Sequence, residues 1–333
     1  MNEVLHFMDI RSTDPTYNLA LEEYLLTHHM EGEILLLWQN ANTIVIGRNQ
    51  NTEEEINRPF VEEHGVTVVR RTTGGGAVYH DMGNLNYSFI QDVDDPEKMS
   101  IAALAVPVVK ALATMGVEAE VSGRNDILVD GKKVSGVAQR MHKNRILHHG
   151  TLLYASNPDM VAGALQVRED KFISKSAKSV RARIGNIQDY VQDKTMNIET
   201  FRARLIEALT ESRDVRPIVL TPDEEAEITK LQMEKYRNWD WTYGKSPAYA
   251  LHTAARFPGG RLEVKADVQN GVIQDIRFIG DFLALMEIDP AQEALNGVRF
   301  EREDVRKALA PLPIGKIFGA VTTDEILTLL FEA

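Results

Sequence analysis

The stretch Arg70-Arg71-Thr72-Thr73-Gly74-Gly75-Gly76-Ala77-Val78-Tyr79-His80 holds the densest chemistry in the chain. Consecutive glycines let backbone N–H groups approach a ligand with no side chain in the way. A row of such amides forms an anion nest suited to phosphate. Arg70 and Arg71 add guanidinium donors for phosphate or carboxylate. The competing reading is a tight bend with solvated arginines. The stretch is not a Walker loop, because the closing lysine and hydroxyl are missing. Nor is it a dinucleotide fingerprint, which needs a strand–glycine–helix setting.

A second candidate follows Asp130-Gly131, a pair that predicts a hairpin turn between two strands. Strand alternation sends the adjacent Lys132 and Lys133 to opposite faces, one to water and one inward. An inward ammonium beside a glycine nest would neutralise charge developing on phosphate or carboxylate. Two ordinary turn lysines are the alternative. A third patch, Lys175, Lys178, Arg181 and Arg183, reads either as a solvated loop or as a basic loop closing over a nucleotide.

The elements that must position these groups follow from local pattern. Asp14-Pro15 starts a helix, with a capping carboxylate and proline at the first helical position, and an amphipathic helix runs to Met30. Ile34–Trp38, Thr43–Ile46, Val66–Val69, Ala77–Tyr79 and Asn86–Gln91 read as strands, the last by alternation. Thr52–His64 and Ser100–Met115 read as helices, and Val117–Ser156 as several strands separated by turns. Further helical patterns occupy Pro158–Leu165 and Ile198–Ser212. Thr221-Pro222-Asp223-Glu224 is a capping box opening another helix. From Trp239 the texture becomes irregular, then gives a hairpin about Asn270-Gly271 and short helices. An α+β chain in two units is expected, residues 1–238 and 239–333.

Composition narrows the function classes. The chain has 333 residues, 44% hydrophobic and 26% charged, enough for one large and one small globular unit. Its net charge of −12 disfavours non-specific nucleic-acid binding, which needs a surplus of cations facing phosphates. The absence of cysteine removes disulfides, thiolate metal sites and thiol nucleophiles together. Met1–Asp9 lacks the basic and apolar runs of a signal peptide, and Ile101–Met115, interrupted by Pro107 and Lys110, is too short to span a bilayer. A cytoplasmic address and no membrane partner are the expectation.

In order along the chain, the motifs resemble the lipoate-protein ligase family. They are Asn18-Leu19-Ala20-Leu21-Glu22-Glu23, Gly47-Arg48-Asn49-Gln50-Asn51, Arg70 to Asp81, Gly83-Asn84, Asn125-Asp126, Lys133-Val134-Ser135-Gly136, His149-Gly150-Thr151-Leu152-Leu153 and Lys178-Ser179-Val180-Arg181. Trp239–Gly244 resembles the opening of that family's C-terminal accessory domain. The resemblance implies a biotin/lipoyl-ligase catalytic fold, a mixed sheet with flanking helices, plus a small α+β domain. It implies an enzyme that uses ATP and Mg²⁺ to turn lipoate into lipoyl-AMP with release of pyrophosphate. The lipoyl group then passes to a lysine of an acceptor, an E2 lipoyl domain of a 2-oxoacid dehydrogenase or the glycine-cleavage H protein.

Carried over by position, Arg70 and Gly74, Gly75 and Gly76 would bind acyl group and phosphates, with Lys133 on carboxylate and α-phosphate. Asn84 and Asp126 would sit near nucleotide and Mg²⁺, Asp126 as the metal ligand, while His80 and His149 would line the pocket. Thr72, Thr73, Ala77, Val78, Ser135, Gly136, Gly150, Thr151, Lys178 and Arg181 complete the implied binding set. Thr72-Thr73 departs from the serine that relatives often carry before the glycines, but keeps the hydroxyl. Octanoyltransferases that work through a cysteine thioester are excluded by composition. A biotin-ligase-like enzyme and a non-catalytic lipoate-binding protein are the alternatives. Octanoate is expected to be a poorer substrate.

Overall fold

A computed structural model describes residues 4–29, 31–50, 52–93, 101–123, 125–165, 183–243, 251–269 and 272–331. The strands in chain order are β1 (Val4–Asp9), β2 (Glu33–Trp38), β3 (Thr43–Ile46), β4 (Thr67–Arg70), β5 (Val78–His80), β6 (Asn84–Asp92) and β7 (Glu120–Ser122). They continue as β8 (Asp126–Val129), β9 (Lys132–His142), β10 (Arg145–Leu153), β11 (Asp214–Pro217), β12 (Leu251–Phe257), β13 (Gly260–Gln269) and β14 (Val272–Gly280).

Eight of them form one mixed sheet in the order β11-β1-β2-β6-β10-β9-β8-β7. Alternation gives this sheet two working faces. Leu35, Leu37, Leu85, Tyr87, Phe89 and Leu152 pack beneath the helices Ile101–Ala113 and Ile198–Thr210. On the other face Ile34, Leu36, Trp38, Ile90 and Leu147 meet the helix Pro15–His28. A small sheet, β4-β3-β5, lies on that second side, and Val45, Val69 and Val78 join its core. The space between the two sheets is where polar residues of both meet.

The local signals explain the boundaries. Asp14 caps the first helix, its carboxylate accepting from the amides of Thr16 and Tyr17. Thr221 and Glu224 form the reciprocal capping box. Asp130 and Gly131 both adopt positive φ, 49° and 73°, as a two-residue hairpin turn demands. Two expectations change. The span expected as one helix over 52–64 is two short helices, Thr52–Glu55 and Arg58–Glu63, because Ile56 pairs as a bridge with Leu165. The helix Pro15–His28 has no solvated polar stripe of the usual kind: Glu22 and Glu23 are buried and paired inward.

The C-terminal portion has its own core, built from the sheet β12-β13-β14 and helices that include Asp289–Leu295 and Thr323–Phe331. The end of β14 and the segment after it rest on the rest of the chain. Gly280 N–H donates to the Asn49 carbonyl at 2.6 Å, Gly75 N–H to the Phe282 carbonyl at 3.2 Å, and Met141 N–H to the Leu285 carbonyl at 2.8 Å. Glu287 joins these contacts by ion-pairing with both Arg48 and Arg140. Among the described residues no helix is long and apolar enough to cross a membrane.

Candidate active site

A pocket opens between the glycine turn and the large sheet. One wall is Arg71, Gly75, Gly76, Ala77, Val78 and His80, and the other is Lys133, Gly136, His149, Gly150 and Thr151. Leu19, Trp38, Val45, Asn86, Asn125, Val137 and Ala138 complete it. Register explains the second wall. Trp38 stands opposite Asn86, Asn86 opposite Thr151, and the Thr151 hydroxyl accepts from Gly136 N–H at 3.0 Å, so these four form one row across β2, β6, β10 and β9.

Lys133 sits at the Gly136 end of that row. A β-carbon at Gly136 would lie 3.0 Å from its ammonium, so glycine is what leaves the lysine room to fold over the strand. Its ammonium lies 2.7 Å from an Asp126 carboxylate oxygen, without the alignment of a hydrogen bond. Lys132 is exposed, so the two lysines diverge as alternation requires. An ammonium and the glycine turn therefore do converge on one pocket.

The two arginines divide their labour. Arg71 is in the pocket wall, and its guanidinium donates to the carbonyls of Val45, Gly74 and Gly76 and to the Thr73 hydroxyl. It holds the glycine turn in shape from inside. Burial pushes its pKa down to about 10, partly offset by Glu22, so it stays charged at neutral pH. Arg70 points the other way. Its donors go to the carbonyls of Gly47, Arg48, Gln50, Trp241 and Thr242 and to the Thr52 hydroxyl. The expected ligand-binding role of Arg70 is not supported here, because strand alternation at β4 turns its side chain away from the pocket.

A buried relay supports the turn. Glu22 accepts from the Ser88 hydroxyl at 2.6 Å and pairs with His149 Nδ1 at 2.9 Å, while His149 Nε2 meets the Thr73 hydroxyl at 2.8 Å. Thr73 thus acts behind the wall, through His149. Thr72 and Gly74 are also outside the lining, and a β-carbon on Gly74 would sit 2.6 Å from the Phe282 carbonyl. Asn84 is fully buried and reaches the pocket only through Asn86, to which its amide donates at 2.9 Å. Ser135 is fully buried on the face of Tyr87, away from the lining. Lys178 and Arg181, with Lys175, lie outside the described residues.

The glycine nest is partly occupied. Gly75, at φ 88°, donates its N–H to the Phe282 carbonyl, so that amide faces the C-terminal portion in this arrangement. Sequence reasoning missed Glu22, Trp38, Asn86 and Asn125 as pocket or relay residues and set Arg70 above Arg71. The alternating polar positions Asn84, Asn86 and Ser88 in an otherwise apolar strand were the available signal.

Among the described residues no group of three or more His, Asp or Glu could hold an ion. Mg²⁺ is commonly held by one or two carboxylates with substrate phosphates and water supplying the rest. A lone Asp126 beside the pocket fits that pattern.

Two buried histidines make a pH prediction. Burial first, then Arg71 and His149, push His80 down to about 3, and burial then His149 do the same to His148. Both stay neutral when folded, whereas an unfolded histidine protonates near 6.5. Below that pH the unfolded state binds more protons, so stability falls as pH drops from 6.5 toward 3. Urea midpoints should decline from pH 7 to 5, and more gently in His148→Phe; equal declines would remove His148 from the effect.

Residues 14–210 match the family model described as lipoyl protein ligase A/B catalytic domain, and 246–330 the model described as bacterial lipoate protein ligase C-terminus. The lipoate-protein ligase LplJ of Bacillus subtilis is 42% identical over 322 residues, covering 96% of this chain and 97% of that protein. The crystal structure of P. falciparum LipL1 in complex with lipoate superimposes with a TM-score of 0.80 at 27% identity, covering 99% of each chain. A lipoate-protein ligase A bound with ATP gives 0.62 at 29% identity, covering 73% of this chain and 99% of that one. With a lysine, a glycine turn and an apolar pocket gathered between two sheets, and matches that run almost end to end, the chain belongs to the lipoate-protein ligase family.

Proposed function

We propose that this ligase binds lipoate in the pocket between the two sheets, activates it with ATP as lipoyl-AMP, and passes the acyl group to an acceptor lysine. The observation that carries the reading is the placement of Lys133, whose ammonium stands at one end of an otherwise largely apolar pocket. The carboxylate of the acid attacks the α-phosphate, the bond to pyrophosphate breaks, and the mixed anhydride forms. Negative charge crowds onto the phosphate, and a preorganised cation answers it without reorganising at the moment of reaction. Mg²⁺, held by Asp126 and phosphate oxygens, would supply further charge neutralisation. The acceptor amine then attacks the anhydride carbonyl and releases AMP. The protein's work in both steps is positioning and charge stabilisation.

E2 lipoyl domains and the glycine-cleavage H protein are the proposed acceptors. The proposed boundary between catalytic and accessory domains falls just after Tyr243, a few residues beyond 239. Trp241 and Thr242 support this, since both bond to Arg70 and thus to the catalytic domain, and the second family match begins at 246.

The test is direct. Purified acceptor domains, ATP, Mg²⁺ and lipoate should give the mass increase of one lipoyl group on the acceptor. Pyrophosphate exchange should depend on lipoate and not on biotin. Binding of lipoate with no ATP consumption would defeat the reading. Apolar burial contributes about 0.8 kcal/mol per methylene. Hexanoate should therefore fall roughly fifteenfold below octanoate in kcat/KM, and equal rates would place the chain outside the pocket.

A further inference from the structure

The acyl pocket has two chemically different ends. Lys133 marks one, beside Gly136 on β9. Trp38 marks the other, three strands away along the row Gly136, Thr151, Asn86, Trp38. Neighbouring strands lie about 4.8 Å apart, so the two ends are separated by roughly 14 Å. A carboxylate held at Lys133 therefore leaves the tail of its chain, and not its head, at Trp38.

His80 stands at the tail end, its ring 6.2 Å from that of Trp38 at 71°, among the lining residues Leu19, Val45 and Val78. It is 3% exposed. One nitrogen is accounted for: Nδ1 meets Asn40 Nδ2 at 3.2 Å. The direction of that bond follows from what lies behind it. The two hydrogens of the Asn18 side-chain NH₂ are shared among three acceptors, the carbonyls of Ser12 and Gln39 and Asn40 Oδ1 at 3.0 Å. Asn40 must then present its own N–H to His80, so Nδ1 accepts and the ring proton sits on Nε2. Burial and the nearby Arg71 keep the ring neutral. Nε2 is buried and has no hydrogen-bond partner among the described residues.

A buried N–H without an acceptor is costly to leave against hydrocarbon. An acyl chain that ends in methylenes leaves it so, whereas a chain that carries acceptor atoms at its far end does not. Dithiolane sulfurs are weak acceptors. We propose, resting on the reading of this pocket as the lipoate site, that His80 is a specificity-determining residue whose Nε2–H donates to a ring sulfur and ranks the dithiolane above a hydrocarbon tail of the same shape. Asn18 and Asn40 are positioning residues that set the tautomer.

The experiment compares lipoate with its carbocyclic isostere, 5-cyclopentylpentanoate, in ATP-dependent transfer by the full-length enzyme, both acids competing in one reaction. The two share ring size and chain length, so only the sulfurs differ. Wild type should favour lipoate about tenfold, given that sulfur accepts weakly. His80→Phe should bring the ratio close to one by losing lipoate turnover while the isostere holds or gains. His80→Gln, which retains an N–H, should restore part of the preference. A wild-type ratio near one overturns the proposal whether or not the variants fold. Equal loss of both acids in His80→Phe overturns it too, since that is the mark of a packing role. If neither acid is transferred by wild type, the failure belongs to the assignment of function rather than to His80.

Discussion

Lys133→Ala is expected to lose about 10²–10³-fold in lipoate-dependent ATP–pyrophosphate exchange, roughly 3–4 kcal/mol of transition-state stabilisation, with thermal unfolding unchanged. The asymmetry follows from placement. The side chain is partly exposed at the pocket end and pairs with a half-exposed carboxylate, and such pairs add little to stability. Its ammonium is nevertheless fixed beside Gly136, where the acid head and α-phosphate are proposed to meet. Lys133→Arg keeps the charge but not the compact point of attachment, and should recover only part of the rate. Exchange within a few-fold of wild type in Lys133→Ala would remove this residue from the chemistry.

Arg70→Ala should do the reverse, with a loss of about 3–5 kcal/mol in stability and a fall of roughly 4–7 degrees in Tm. Burial, with a smaller contribution from Arg48, pushes this guanidinium down to about 10, so it is still charged at neutral pH. It binds the 47–50 turn, Thr52 and the Trp241–Thr242 backbone together. Without it several carbonyls turned inward lose their donor at once. Arg70→Lys should be nearly as unstable, because one ammonium does not reproduce a fork of five N–H groups. Calorimetry on the two variants decides the point. An unaltered Tm together with lost lipoate binding would return Arg70 to the pocket.

The paired predictions show where the primary structure was legible. Helix starts at Asp14 and Thr221 and the Asp130-Gly131 turn were readable, because each depends on two or three neighbouring residues. So was the splitting of Lys132 from Lys133, which needs only strand alternation. Arg70 and Arg71 are adjacent and identical in type, and by the same alternation only one enters the pocket. Which one depends on which face of β4 the large sheet covers, and that is set by residues of β9 and β10 far along the chain, from Lys133 to Thr151.

Glu22 is the same lesson in a helix. Its spacing suggests a solvated face, but Ser88 and His149 from two distant strands close over it and make it a buried acceptor. The engagement of Gly75 by Phe282 is likewise a contact between distant parts of the chain. By itself, then, the order of residues determined the kind of chemistry, the local turns and caps, and the family. Tertiary structure alone decided which arginine lines the pocket, which polar atom is left unpaired at His80, and which glycine amide is engaged by the C-terminal portion. Facing and pairing are long-range properties, and no local pattern carries them.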